Sequence, residues 1–250
     1  MIDIGLLNQL CGNAAQTNTN YTGMNAVTAP DAAHHIYSSA THTTEATLTN
    51  ADIMSISVIP RIIALAQGGL PFPIKPLVIK GIEIAGALFM TAQQVRDLKT
   101  NFTEGEWANI YGKAMQGGQI TGNPIFSGAV GFYENVVLHQ DTRCAWGDNT
   151  QNLVMDNNGN LVGAPTSLGA AAAGTTDVGR AVFVGAQAAS FASGAIAGPD
   201  GAPLRVKWVE ELLDAQNQLR ITGGMIWGLK KNIFNAQDFA TIVVSSWNAP

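Results

Sequence analysis

The stretch Thr103–Gln140, TEGEWANIYGKAMQGGQITGNPIFSGAVGFYENVVLHQ, constrains the fold more than any other. It demands a helix, a break and a strand in quick succession. Thr103 can cap the free N–H groups of a first helical turn, and Glu106, three residues on, can reach back to the cap. Phe102 and Trp107 flank that start at the positions where an apolar pair clamps the entering chain. Ile110, Tyr111, Ala114 and Met115 continue the stripe at helical spacing, so a helix is predicted over 104–116, ended by Gly117-Gly118. An irregular loop, Asn123-Pro124-Ile125-Phe126, follows, and Phe132–His139 reads as a strand.

The rest of the chain mixes helical and extended patterns in the same way. Met1–Leu10 has apolar residues at Ile2, Leu6, Leu7 and Leu10 and reads as an amphipathic helix. Residues 11–48 are polar and unpatterned, which predicts a loop. A helix is expected from Thr49/Asn50 to Gly68-Gly69, with Ile53, Ile56, Ile59, Ile63 and Leu65 on one face and a kink or junction at Pro60. Leu77–Ile79, Ile82–Ile84 and Ala87–Met90 read as β, and Thr91 as the cap of a short helix over 92–99. Residues 141–178 form a loop-rich excursion with a hairpin signal at Asn158-Gly159, between apolar runs in Leu153–Val162. Ala181–Val184 reads as a buried strand, and the Ala-rich run from about Gly185 as helical. Trp208, Val209, Leu212, Leu213 and Leu219 predict one face of a helix, with Glu210, Glu211, Asp214 and Gln218 on the other. Met225–Phe234 and Phe239–Trp247 predict two antiparallel strands about a turn at Asn235–Asp238. Without a regular βαβ alternation, the class is α+β.

The charged share of the 250 residues is 12%, about half of the roughly 25% of an ordinary soluble domain. Gly, Asn, Thr, Ala and Gln replace the missing Lys and Glu. Depletion of charge is a property of interface cores, where burying Lys or Glu costs desolvation. The chain therefore reads as one whose surface is covered by copies of itself. An Asn/Thr/Gly-rich extracellular β protein would avoid charge too. The net charge of −5 and the absence of a Lys/Arg block exclude a sequence-independent nucleic-acid binder, which needs clustered cations. Met1 opens no signal peptide, and the uncharged run Ala181–Pro199 is too broken by Gln, Ser and Gly to read as a membrane span. Cys11 and Cys144 lack metal or redox spacing and read as buried thiols rather than a disulfide.

Catalytic and metal signals are weak. His34, His35, His42 and Glu45 could ligate a metal, but they sit in the least patterned part of the chain. Asp156–Asn160 lacks the order and closing Glu of a calcium loop and reads as a turn. Ile125-Phe126-Ser127-Gly128-Ala129 lacks the leading Gly of a nucleophile elbow, and no Gly-rich phosphate cradle occurs. Cys144 near His139 is not by itself a catalytic pair. Glu134 stands among aromatics but has no carboxylate partner in the sequence. No cofactor and no metal are expected.

Four segments carry a family resemblance. GNPIFSGAVGFYENVVLHQ (Gly122–Gln140) resembles the central signature of the major capsid proteins of the phage N4 type, a family with the HK97-like shell fold. Ile74–Thr100 is similar to the family's strand-then-helix segment, Arg180–Phe191 to a further block, and Trp208–Trp247 to its closing helix and hairpin. The resemblance implies peripheral (P) and axial (A) domains intermixed over residues 1–250, with 1–10 as the end of the spine helix. The N-terminal arm, the E-loop and most of that helix would precede Met1; a reading frame begun too late is the favoured expectation, with processing of the chain or a variant that lacks those elements as the alternatives. It implies a structural role: a self-assembling shell of pentamers and hexamers, the virion head of a tailed phage or prophage, formed in the bacterial host cytoplasm. Such a shell encloses double-stranded DNA without binding it specifically; portal, scaffold or decoration proteins would be its further partners. Asn123, Pro124, Ile125, Phe126 and Trp247 are the expected interface anchors, because aromatics concentrate at interface centres. Two alternatives are an encapsulin-like compartment shell and, from another class, an unrecognised hydrolase, which would need a concave pocket with convergent polar groups.

Overall fold

The computed structural model describes residues 2–12, 27–79, 81–101, 129–141, 144, 154–155, 161–162, 178–197, 203–204, 206–213 and 217–247. Helix α1 spans Ile2–Cys11 and buries Leu7, Leu10 and Cys11, in agreement with the amphipathic pattern. It stops at Gly12, whose φ of +64 is left-handed; a Cβ there would lie 2.5 Å from Pro30 Cδ, so only glycine fits. The polar segment after it is not all loop: β1, His35–Tyr37, is a short strand. Helix α2 begins only at Val58 and runs to Ala64, with a π turn over Leu65–Gly69. The expected start at Thr49/Asn50 is therefore wrong. Asp52 instead closes a local turn, accepting from Thr49 N (2.7 Å) and Oγ1 (2.8 Å). Pro60 falls in the first turn of α2, where its missing N–H has no intrahelical acceptor, so it neither kinks nor divides the helix.

Strands β2 (Leu77–Ile79), β3 (Ile82–Ile84) and β4 (Gly86–Met90) agree with the sequence reading, as does helix α3 (Ala92–Thr100). Its capping box is complete: Gln94 N donates to Thr91 Oγ1 (3.2 Å) and Thr91 N to Gln94 Oε1 (3.0 Å). The fully buried Gln94 amide also donates to Gly179 O (2.9 Å) and Ser246 Oγ (2.8 Å), tying the helix start to two strands. The helix expected over 104–116 and the loop Asn123–Phe126 lie outside the described residues.

The strand expected over Phe132–His139 is instead a hairpin of β5 (Ala129–Tyr133) and β6 (Val136–Gln140). Glu134 (φ 44) and Asn135 (φ 65) form its two-residue turn, both left-handed as a twisted ribbon requires. β7 (Val154–Met155) and β8 (Leu161–Val162) pair antiparallel on either side of the predicted Asn158-Gly159 turn, which itself lies outside the described residues.

β9 (Val178–Val184) is buried from Val178 to Phe183. The helix expected from Gly185 is not formed: β10 (Ala189–Ser193) and β11 (Ile196–Ala197) occupy that run. Alanine's helix preference amounts to tenths of a kcal/mol per residue, and a complete strand partner overrides it. The second expected helix is also a correction. After β12 (Pro203–Leu204), β13 (Val206–Leu213) and β14 (Gln218–Met225) pair antiparallel as the two arms of a long hairpin. β15 (Trp227–Lys231) pairs with β10, and β16 (Ile233–Phe234) turns through Asn235-Ala236 (φ 52 and 60) into β17 (Gln237–Asp238). β18 (Thr241–Trp247) closes the described chain. The predicted terminal pair of strands therefore separates, each joining a different sheet.

The centre is a six-stranded mixed sheet in the order β1-β18-β9-β4-β6-β5. β1 lies parallel to β18 and β4 to β6; the other neighbours are antiparallel. β9 and β18 carry the apolar runs Ala181–Val184 and Ile242–Val244 because both of their faces are covered. Ala181, Val182, Phe183, Ile242, Val243 and Val244 are wholly buried, joined by α1, α2, α3 and Met54. A Cβ at Gly86 would collide with the Phe183 ring and sit 2.8 Å from Val184 O, so glycine lets β4 close on β9. The architecture is α+β, as expected.

Candidate assembly surfaces and the buried polar network

Arg180 on β9 organises one side of the sheet. It lies 7% exposed and forks onto Glu45, with Nε at 2.6 Å from Oε1 and Nη2 at 2.9 Å from Oε2. Its Nη1 donates to Gly12 O (3.0 Å) and Cys11 O (3.4 Å), satisfying carbonyls at the end of α1. One side chain thus joins helix, loop and sheet. Burial works against the Glu45 charge, but the Arg180 hydrogen bonds and charge outweigh it and hold the carboxyl below its usual value.

A hydrogen-bond relay runs into the same carboxylate. Ser245 Oγ donates to Glu45 Oε1 (2.7 Å), His35 Nε2–H to Ser245 Oγ (2.8 Å), and Tyr37 O–H to His35 Nδ1 (3.4 Å). That direction requires a neutral His35. Burial pushes its pKa down to about 4; the Glu45 charge opposes this, while the Arg180 and Lys231 cations add to it. Burial and the Glu45 charge raise Tyr37.

A second buried cluster holds the turn after β15. Lys231 Nζ meets Asp238 Oδ2 at 2.7 Å, with both side chains almost completely buried. Asp31 accepts from Asp238 N (2.6 Å) and His34 N (2.9 Å) and pairs with His34 Nδ1. Burial, with Asp31 nearby, keeps the Asp238 carboxyl above its ordinary value although Lys231 opposes it.

These pairings dispose of the metal candidates. His34 is held by Asp31, His42 by Asp52 (2.7 Å) and His35 by Ser245, so the histidines serve three separate contacts. Among the described residues no group of three His, Cys, Asp or Glu side chains could hold a metal ion. Cys11 and Cys144 are buried thiols, as read from the sequence. Glu134 is exposed at a hairpin turn. A cleft of about 600 Å³ is lined by Lys230, Lys231, Asn232, Ile233, Phe234 and Phe239. Its polar groups are engaged: Lys231 with Asp238, and Asn232 with Ser190 (2.6 Å) and Gln187 O (2.7 Å). This is not a convergent catalytic constellation.

The outer surface is the unusual part. In the β13–β14 hairpin, directly opposed residues share a face. Leu212 opposes Leu219, Glu210 opposes Ile221, and Trp208 opposes Gly223. One face therefore carries Trp208, Leu212, Leu219 and Ile221, each at least half exposed, with Glu210 between them accepting from Trp208 Nε1 (2.8 Å). Leaving such side chains in water forgoes on the order of 1.5–3 kcal/mol each. The opposite face pairs Val209 with Thr222 and Glu211 with Arg220. Among the described residues neither strand pairs with a third, so both ribbon edges are open. A smaller apolar patch joins Phe72 and Phe234, whose rings meet edge-to-face at 5.4 Å, to Ile233 at the rim of the cleft. Phe191 stacks on Trp227 at 6.4 Å beside exposed Ile226.

A family model described as phage capsid protein matches residues 1–249. The chain belongs to the phage capsid protein family. Among solved structures, the capsid of Ralstonia phage GP4 is similar, with a TM-score of 0.73 and 28% identity. That match covers 100% of this chain and 64% of the GP4 chain, so the sequence spans under two thirds of that relative. No curated protein matches. Membership of the capsid family agrees with the expectation drawn from the four segments. Of the expected anchors, Trp247 is half-buried at the end of β18, its backbone N–H donating to Asp52 O (2.9 Å); Asn123, Pro124, Ile125 and Phe126 lie outside the described residues. The reading from sequence missed the apolar ribbon face, although it noted Trp208, Leu212 and Leu219 as apolar; Ile221 was not singled out.

Proposed function

We propose that this capsid-family chain is the major shell subunit of an icosahedral phage head, a structural protein rather than a catalyst. The observation that carries this is the outward apolar ribbon face on a chain whose charged share is 12%. A surface of this kind is stable in water when a neighbouring molecule covers it. The finer reading is an N4-type capsid protein with an HK97-like fold. Within it, the six-stranded sheet forms the main body, α1 is the end of the spine helix, and P- and A-domain parts are intermixed. Copies would make unlike, heterologous contacts that close into pentamers and hexamers. Stability would come from the number of contacts rather than the strength of each. The head would enclose double-stranded DNA without a specific site, consistent with the net charge of −5, and portal, scaffold or decoration proteins would join it in the host cytoplasm. Asn123, Pro124, Ile125, Phe126 and Trp247 are proposed contacts.

Negative-stain microscopy of the protein expressed from its whole reading frame tests this reading. Uniform spherical shells are expected. A monodisperse protein that forms no shell, at any concentration or with co-expressed head proteins, overturns it.

A further inference from the structure

We propose that residues 31–52 are an acid-released strap: β1 lifts off the edge of β18 while β18, β9, β4, β6 and β5 stay assembled. The strap has little apolar anchorage. Among its described side chains only Ile36 packs on the apolar core, and only partly; Leu48 is buried outside that core. Its strand, β1, is three residues long, lies at the sheet edge and pairs parallel, the weaker arrangement per residue. Flanking backbone bonds are few: Val243 N donates to His34 O (2.8 Å), Ser38 N to Ser245 O (2.9 Å) and Trp247 N to Asp52 O (2.9 Å). A segment held this way opens at a lower free energy than the core beneath it.

The side chains with which the strap grips the sheet are ionisable. Asp31 accepts from Asp238 N (2.6 Å), Glu45 takes the Arg180 fork and the Ser245 hydroxyl, and His35 donates to Ser245 (2.8 Å). His35 is the one whose charge changes first as pH falls from neutrality. Burial opposes the Asp31 and Glu45 charges, but their hydrogen bonds hold both below ordinary carboxylate values. The titratable groups around the His35 ring are Tyr37 on β1, Glu45 on the turn Glu45–Thr47, Arg180 on β9 and Lys231 on β15. Burial is the largest obstacle to a second ring proton, and the Arg180 and Lys231 cations add to it. That proton also puts a donor where Nδ1 now accepts from Tyr37 O–H (3.4 Å). Glu45 Oε1, 3.8 Å from Nε2, favours the proton but is already engaged by Arg180. A released ring regains water and loses these obstacles, so acid favours release. With a value of 6.5 when free and about 4 when docked, the release equilibrium rises about thirtyfold between pH about 7.5 and about 5. Release bares the outer edge of β18 at Val243, Val244 and Ser245, a row of unpaired backbone donors and acceptors.

Hydrogen exchange of the full chain, read by mass spectrometry and corrected for the intrinsic pH dependence of exchange, tests the strap. Segment 34–38 should be less protected than β9 and β4 by about tenfold or more at both pH values. Its exchange should be insensitive to low urea, because a local release exposes little surface. Its protection should fall about thirtyfold from pH about 7.5 to about 5, the fall beginning near 6.5, where the carboxylates do not yet titrate. These readings need no variant. His35→Gln, which keeps a donor for Ser245, should abolish the fall, with circular dichroism confirming that the variant is folded. The proposal is overturned if 34–38 is protected as strongly as β9 and β4, if its protection is the same at both pH values, or if folded His35→Gln shows the same fall.

Discussion

Lowering the pH from about 7.5 to about 5 should destabilise the fold by about 2 kcal/mol through His35 alone. The ring sits in the relay between Tyr37 and Ser245, and its pKa falls from 6.5 unfolded to about 4 folded. Because the folded value is depressed, the contribution is complete above 6.5 and is lost as pH falls towards 4. The whole shift corresponds to about 3 kcal/mol, of which about 2 has gone by pH 5. In a protein of this size that is a fall in Tm of about 4–8 °C. His35→Gln keeps a donor for Ser245 and removes the titration. Thermal unfolding of both proteins at the two pH values isolates the effect, since the remaining histidines cancel in the difference. Equal falls in the two proteins would refute the claim that His35 is buried and neutral.

Arg180→Ala should cost about 3–5 kcal/mol, because it strands the Glu45 carboxylate and two carbonyls at the end of α1. Urea unfolding would measure it, and adding Glu45→Gln should recover part of the loss. Gln94→Leu removes the side-chain half of the capping box and two further buried hydrogen bonds, and should cost about 2 kcal/mol or more by the same assay.

What the sequence revealed depended on how local each signal was. Thr91 announced α3 because an N-cap residue lies next to the helix it starts; the reciprocal bond from Gln94 was seen only in the structure. The run Ala181–Val184 announced a strand buried on both faces. The β13–β14 hairpin was misread because Trp208 and Leu212 are four apart, a spacing that fits one face of a helix and one face of a strand equally. Only the register with Leu219 and Ile221 decides between them, and that is a tertiary fact. Glu134-Asn135 hid the β5–β6 turn because its left-handed pair lacks the usual glycine. The isoleucines at 53, 56, 59 and 63 suggested one long helix, yet the core takes Met54, Val58, Ile59 and Ile62, with α2 beginning at Val58. β1 is a strand because β18 offers it an edge. The Arg180–Glu45 fork joins positions 135 apart in sequence, which no local pattern reports.

The most direct test of the central claim is the accessibility of Trp208 and of the 206–225 amides before and after assembly. Hydroxyl-radical footprinting with hydrogen exchange, read by mass spectrometry on separated subunits and shells, measures both. Strong protection of Trp208, Leu219 and Ile221 in the shell is the predicted result. Equal labelling in both states would contradict the claim that this apolar face exists to be covered by a sibling molecule.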